Sequence, residues 1–284
     1  MKPFEKGIYL LPNLMTTSAL FAGFYAVIAG MNGEYELGAI AIFVAMIFDG
    51  LDGRVARMTN SCSAFGAEYD SLADMVSFGL APALLLYQWM LHDFGKLGWL
   101  IAFIFTVGAA LRLARFNTQV GIADKRYFQG LPSPAAAALL AGFVWMVESN
   151  QIRTGFEAYL ALFLTLLVGL MMVSNIRFSS FKELNLRDKV PFVTLLVVVL
   201  IFVVITLKPA MMLFGIFLAY TLSGPVLTLR QLQVKRASRR RAKAHGKAES
   251  VPVSVNTSPE DVAENDMIEK PAETSDNTNE INRK

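Results

Sequence analysis

Apolar residues run in long, nearly unbroken blocks from Leu10 to Leu229, and the pattern changes abruptly at Gln231. Beyond that point Lys, Arg, Glu, Asn and Ser predominate. A bilayer core needs about 20 mostly apolar residues per helix, with a range of ~17–25. On that scale about eight segments qualify, at residues 10–31, 36–56, 70–91, 97–116, 132–148, 156–174, 190–207 and 210–228. The segment 132–148 is short and rich in Ala, whereas Val190 to Leu207 carries no charge at all. Lys208-Pro209 supplies a tight turn between the last two. The pattern predicts an all-α integral membrane domain over residues 1–230, followed by a hydrophilic, disordered tail over 231–284. The apolar run after Lys2 and Lys6 is too long for a cleavable signal and reads as a first span that also directs insertion.

The basic residues give an orientation. With the N-terminus in the cytoplasm and an even number of spans, the inner side carries Lys2, Lys6, Arg54, Arg57, Arg112, Arg115, Lys125, Arg126, Arg177, Lys182, Arg187, Lys189 and the basic residues of the tail. The outer side carries only Lys96, Arg153 and Lys208. A reversed orientation or an odd number of spans destroys that asymmetry. Both termini are therefore expected on the cytoplasmic side of the cell membrane.

Composition agrees: the chain is 54% hydrophobic and 17% charged, against about 25% charged in soluble domains. The single cysteine, Cys62, excludes an intrachain disulfide. A net charge of +3 gives no support for nucleic-acid binding. The tail cluster from Lys235 to Lys247 suits anionic lipid headgroups, at about 1 kcal/mol per basic residue near the surface. It equally suits a plain stop-transfer flank.

Charges that interrupt the apolar blocks are the informative residues. Asp49 and Asp52 lie three apart near the cytoplasmic end of the second segment, and Asp70 and Asp74 lie four apart at the start of the third. Residues at i, i+3 and i, i+4 share a helix face, so two helices joined by a short connection can aim all four carboxylates into one space. Left bare at membrane depth, such charges would repel and be costly to desolvate. Oxygen ligands favour a hard divalent ion, Mg²⁺ or Mn²⁺. Gly53 and Gly66 remove side chains where a ligand must come close, and Arg57 can clamp a phosphate. Together they suggest a pyrophosphate substrate at a two-metal site. Inter-span salt bridges, or an ion pathway in a coupled transporter, are the alternative. They require neither the paired spacings nor the glycines and arginine in register.

The stretch resembles the CDP-alcohol phosphatidyltransferase family, whose motif is D-x2-D-G-x2-A-R-x8-G-x3-D-x3-D. Asp49, Asp52, Gly53, Ala56, Arg57, Gly66, Asp70 and Asp74 occupy every defined position. The resemblance implies a six-helix membrane core, usually dimeric, with a site open to the cytoplasm and release of CMP. It implies that Asp49, Asp52 and Asp70 are the main metal ligands, that Asp74 also activates the acceptor hydroxyl, and that Gly53, Arg57 and Gly66 line the CDP pocket.

The motif leaves the acceptor alcohol open. Arg112 and Arg115 share one helix face at the same membrane side, and Asn117 follows. These three are candidates for contacts to a donor phosphate or an acceptor carboxylate. The runs Leu11–Thr16, Ala110–Asn117, Phe128–Pro134 and Ser174–Lys182 resemble the phosphatidylserine synthase branch of the family, which adds two helices to the core. That resemblance implies CDP-diacylglycerol as donor and L-serine as acceptor, with Asn13 and Thr16 at the nucleotide end. Glycerol 3-phosphate or an inositol phosphate is the alternative acceptor.

Overall fold

A computed structural model describes residues 10–61, 63–119, 127–152, 154–179 and 206–248. The expected span 190–207 lies almost wholly outside these residues, as do Cys62 and the tail beyond 248. The chain divides into a compact unit ending at Lys235 and a second unit from Arg236 onward.

Helix α1 (Leu10–Met31) and helix α2 (Tyr35–Met58) form the first hairpin. Gly33, at φ +77°, makes the turn between them, a backbone conformation that favours glycine. Helix α3 (Ala64–Asp74) continues through a π-turn (Met75–Leu80) into α4 (Ala81–Trp89). It begins several residues before the apolar run because Ser63 caps it, accepting a 2.9 Å hydrogen bond from the Gly66 amide. The π-turn is followed by Pro82, which cannot donate within the helix. Such turns concentrate at functional sites, and this one directly follows Asp74. It is pinned to α1 by the buried Ser77 hydroxyl, which donates to the Ala19 carbonyl at 3.1 Å.

Next come α5 (Lys96–Gln119), α6 (Ser133–Ser149), α7 (Glu157–Val173) and α8 (Pro209–Ala248). The Ala-rich segment proves to be the most enclosed: Ala135 to Val144 of α6 are all buried. Small side chains let neighbouring helices surround it, which is why its apolar signal was weak. Helices α5 and α7 cross at Gly108 and Gly169, where a Cβ on Gly108 would stand 2.6 Å from the Gly169 carbonyl oxygen.

Three of the described helices are long and apolar enough to cross a membrane: Leu10–Met31, Lys96–Thr118 and Pro209–Thr228. Large apolar side chains such as Phe21, Phe103 and Phe163 are more than half exposed, as befits lipid-facing surface. The architecture is all-helical as expected, with one short ribbon added, and the tail differs from expectation at its start. Strands β1 (Tyr127–Gln129) and β2 (Arg177–Ser179) pair antiparallel, with Phe128 opposite Phe178. Helix α8 also runs on to Ala248, well into the segment expected to be disordered. Lys, Arg and Ala, abundant there, are strong helix formers.

Candidate active site

The α1–α2 hairpin and the start of α3 bring the motif together. One cavity of about 170 Å³ is lined by Asn13, Thr16, Asp52, Gly53, Arg57, Gly66 and Asp70, among others. All five residues expected at the donor therefore share one cavity with two of the carboxylates. Gly53 leaves room for the Arg57 guanidinium, which folds back to 3.5 Å from where a Cβ would stand. A Cβ at Gly66 would lie 3.5 Å from Asn13 Oδ1 and 3.1 Å from Ser63 Oγ.

Asp49, Asp70 and Asp74 each present a carboxylate oxygen to one point, all three within 4.8 Å of one another. Asp52 is not part of that trio. It is 5% exposed and accepts a 2.7 Å hydrogen bond from the Thr16 hydroxyl. That hydroxyl also lies 3.1 Å from the Pro12 carbonyl. Its single proton serves the shorter contact to the charged acceptor better. The carboxyls of Asp49 and Asp74 meet as one close pair, and those of Asp52 and Asp70 as another. Asp70 thus joins that cavity to the trio.

The cluster has the make-up of a divalent-cation site. Its donors are all carboxylate oxygens, suited to a hard ion. The Oδ1 atom of Asp70 is buried with no hydrogen-bond partner among the described residues. A buried acceptor without a partner is costly, and a cation shared with Asp49 and Asp74 would satisfy it. His92 lies in the 3₁₀ turn Leu91–Phe94, beside Asp93.

The three residues at the end of α5 separate. Arg112 lies close enough to Asp74 and Asp49 to feel their charge, and its Nη1 donates to Ser133 Oγ at 2.6 Å. Arg115 instead donates to Asn175 Oδ1 at 3.3 Å. Asn117 donates from Nδ2 to Ser71 Oγ at 3.0 Å, bracing α5 against α3 between Asp70 and Asp74. Ser133, Ser71 and Asn175 lie in or beside stretches that carry the resemblance, but nothing in the sequence assigns any of them a contact. A serine opening an apolar helix looks like a cap, and its contact with Arg112 crosses a gap that no periodicity reveals.

Comparison with known proteins agrees with the geometry. Residues 9–173 match the CDP-alcohol phosphatidyltransferase family. A CDP-diacylglycerol–serine O-phosphatidyltransferase of Helicobacter pylori is 37% identical over 213 residues, covering 75% of this chain and 90% of that protein. One of the same name from Mycobacterium tuberculosis is 32% identical over 221 residues, covering 75% of this chain and 76% of the relative. An archaetidylserine synthase of Methanothermobacter thermautotrophicus is 34% identical over 171 residues, covering 59% of this chain and 69% of the relative. A chain with three of the motif's four carboxylates gathered at one point, and with relatives of this kind along most of its length, belongs to the CDP-alcohol phosphatidyltransferase family.

Proposed function

We infer that this enzyme transfers the phosphatidyl group of CDP-diacylglycerol to L-serine, giving phosphatidylserine and CMP. The observation that carries the reaction class is the meeting of Asp49, Asp70 and Asp74 within 4.8 Å, beside a cavity lined by Asp52, Gly53, Arg57 and Gly66. Serine as acceptor is supported by the names of the relatives and by a guanidinium, Arg112, beside Asp74.

Asn13, Thr16, Gly53 and Gly66 shape the nucleotide end of the donor cavity, and Arg57 binds the pyrophosphate through its planar fork of N–H donors. Asp49, Asp52, Asp70 and Asp74 would hold two divalent ions, Mg²⁺ or Mn²⁺, whose chemistry when bound is to polarise the phosphoryl group and neutralise the leaving oxygens. Asp74 accepts the proton of the serine hydroxyl. The serine oxygen forms a bond to the diacylglycerol-side phosphorus. The bond from that phosphorus to the bridging pyrophosphate oxygen breaks, and CMP leaves with the electron pair. Arg112, Arg115 and Asn117 lie on the acceptor side.

The same reading makes residues 1–230 the catalytic domain, with about eight spans of the ~20-residue bilayer length, both termini and the site on the cytoplasmic face, and a homodimer as the working form. It is tested by offering purified protein CDP-diacylglycerol, Mn²⁺ and a mixture of labelled L-serine, glycerol 3-phosphate and inositol phosphate. Phosphatidylserine is the expected product. A product formed from either phosphorylated alcohol alone overturns the assignment of serine.

A further inference from the structure

One hydrogen bond fixes Arg112, and three further polar side chains surround it. From α6, the Ser133 hydroxyl accepts its 2.6 Å hydrogen bond, and Ser133 is completely buried. From α2 and α3, Asp49 and Asp74 face it with negative charge. From α8, Tyr220 lies within electrostatic range of the guanidinium. Tyr220 is itself located by packing. Its ring lies 5.7 Å from that of Phe178 on β2, and Phe178 is completely buried. Helix α8 admits that ring because residue 224 is glycine, where any Cβ would overlap it. The β1–β2 ribbon, joining residues 127–129 to 177–179, thus supports the face of α8 that turns towards Arg112.

Tyr220 lies beyond residues 9–173, the part of the chain that matches the family as a whole. The elements around Arg112 therefore include one outside the part shared with the family as a whole. A guanidinium has five N–H donors in a planar fork, and Ser133 occupies one end of it. A fork immobilised next to Asp74 is preorganised for a planar, singly charged carboxylate. Asp49 and Asp74 already offset part of its charge, and Arg115 is engaged with Asn175. A doubly charged phosphate would find little uncompensated positive charge there.

Building on the serine reading above, we propose that Ser133 and Tyr220 are positioning residues that hold Arg112 as the docking group for the acceptor's carboxylate. Selection of a carboxylate-bearing alcohol then depends on α6 and α8, whereas binding of the donor does not.

The test is steady-state kinetics of the full chain in detergent with Mn²⁺, varying CDP-diacylglycerol and L-serine separately. Serinol, in which a hydroxymethyl group replaces the carboxylate, serves as a second acceptor. Ser133→Ala and Tyr220→Phe are each expected to raise KM for serine roughly tenfold, the scale of a lost hydrogen bond or supporting contact to a charged group. KM for CDP-diacylglycerol stays at the wild-type value, the preference for serine over serinol narrows, and Ser133→Thr restores the serine KM. Tyr220→Phe removes one oxygen and keeps the ring, so it decides the matter even if Ser133→Ala fails to fold. Loss of turnover with serine and serinol alike, or a KM for CDP-diacylglycerol that rises in step, overturns the proposal in favour of a purely structural role. Wild-type turnover of serine with unaltered variants overturns it alone. Wild-type protein that releases no CMP with serine overturns the serine reading as well.

Discussion

The Thr16 hydroxyl donates a 2.7 Å hydrogen bond to Oδ2 of Asp52, tying the first helix to the carboxylate that shares a cavity with Arg57. Asp52 is almost fully buried, so that bond fixes which way its carboxylate faces. Removing a supporting partner of a metal ligand costs about 10–100-fold in metal affinity or activity. Thr16→Val is expected to raise the Mn²⁺ concentration for half-maximal turnover by at least ~10-fold, with the fold intact. An unchanged metal titration would mean that Asp52 is oriented by something else.

The two kinds of glycine separate function from stability. A methyl at Gly53 meets the Arg57 guanidinium at ordinary contact distance, 3.5 Å, so Gly53→Ala should fold normally. It narrows the donor cavity, and KM for CDP-diacylglycerol should rise while the serine KM holds. A methyl at Gly108 runs into the Gly169 backbone. Gly108→Ala should therefore destabilise by about 1–3 kcal/mol, the usual cost of overpacking, visible as a lower Tm in detergent.

Much of this was legible from spacing. Asp49, Asp52, Asp70 and Asp74 declare themselves because charge is costly in apolar segments and because i, i+3 and i, i+4 positions share a helix face. The helix bounds followed the apolar blocks closely in α1, α2 and α5. The rest depended on contacts between residues distant in sequence. Tyr220 lies in an apolar helix where an aromatic side chain reads as lipid-facing or interfacial. Only the packing of Phe178 against it reveals its place. The β1–β2 ribbon pairs two three-residue strands separated by two helices, too short for any pattern to show. The start of α3 depended on one cap, Ser63, that precedes the apolar run.

Arg57 lines the cavity proposed for the donor, with its guanidinium folded over Gly53. Arg57→Lys keeps the charge but loses the planar fork. It should raise KM for CDP-diacylglycerol by roughly tenfold, the scale of one charge-assisted hydrogen bond, and leave KM for serine unchanged. A rise in the serine KM alone would move Arg57 to the acceptor side.

Outside the carboxylate cluster, two tryptophans donate to carboxylates. Trp89 Nε1 donates to Glu148 Oε1 at 2.6 Å, and Trp145 Nε1 to Glu36 Oε1 at 3.0 Å. Trp89→Phe should cost about 1–2 kcal/mol and lower Tm by roughly 2–8 °C, with kcat and both KM values preserved. Lost turnover at unchanged Tm would give this pair a role in the reaction.

Asp70 joins the cavity assigned to the donor to the Asp49–Asp70–Asp74 trio and holds a buried oxygen with no partner among the described residues. The most direct measurement is serine-dependent CMP release by Asp70→Asn beside wild type, across a Mn²⁺ titration and after chelation. Asparagine keeps the shape and removes the charge. Wild-type turnover should vanish with chelator and return with Mn²⁺, releasing CMP and phosphatidylserine in equal amounts, while Asp70→Asn stays inactive at every Mn²⁺ concentration. An active Asp70→Asn enzyme with wild-type metal dependence would contradict a metal site built on these carboxylates.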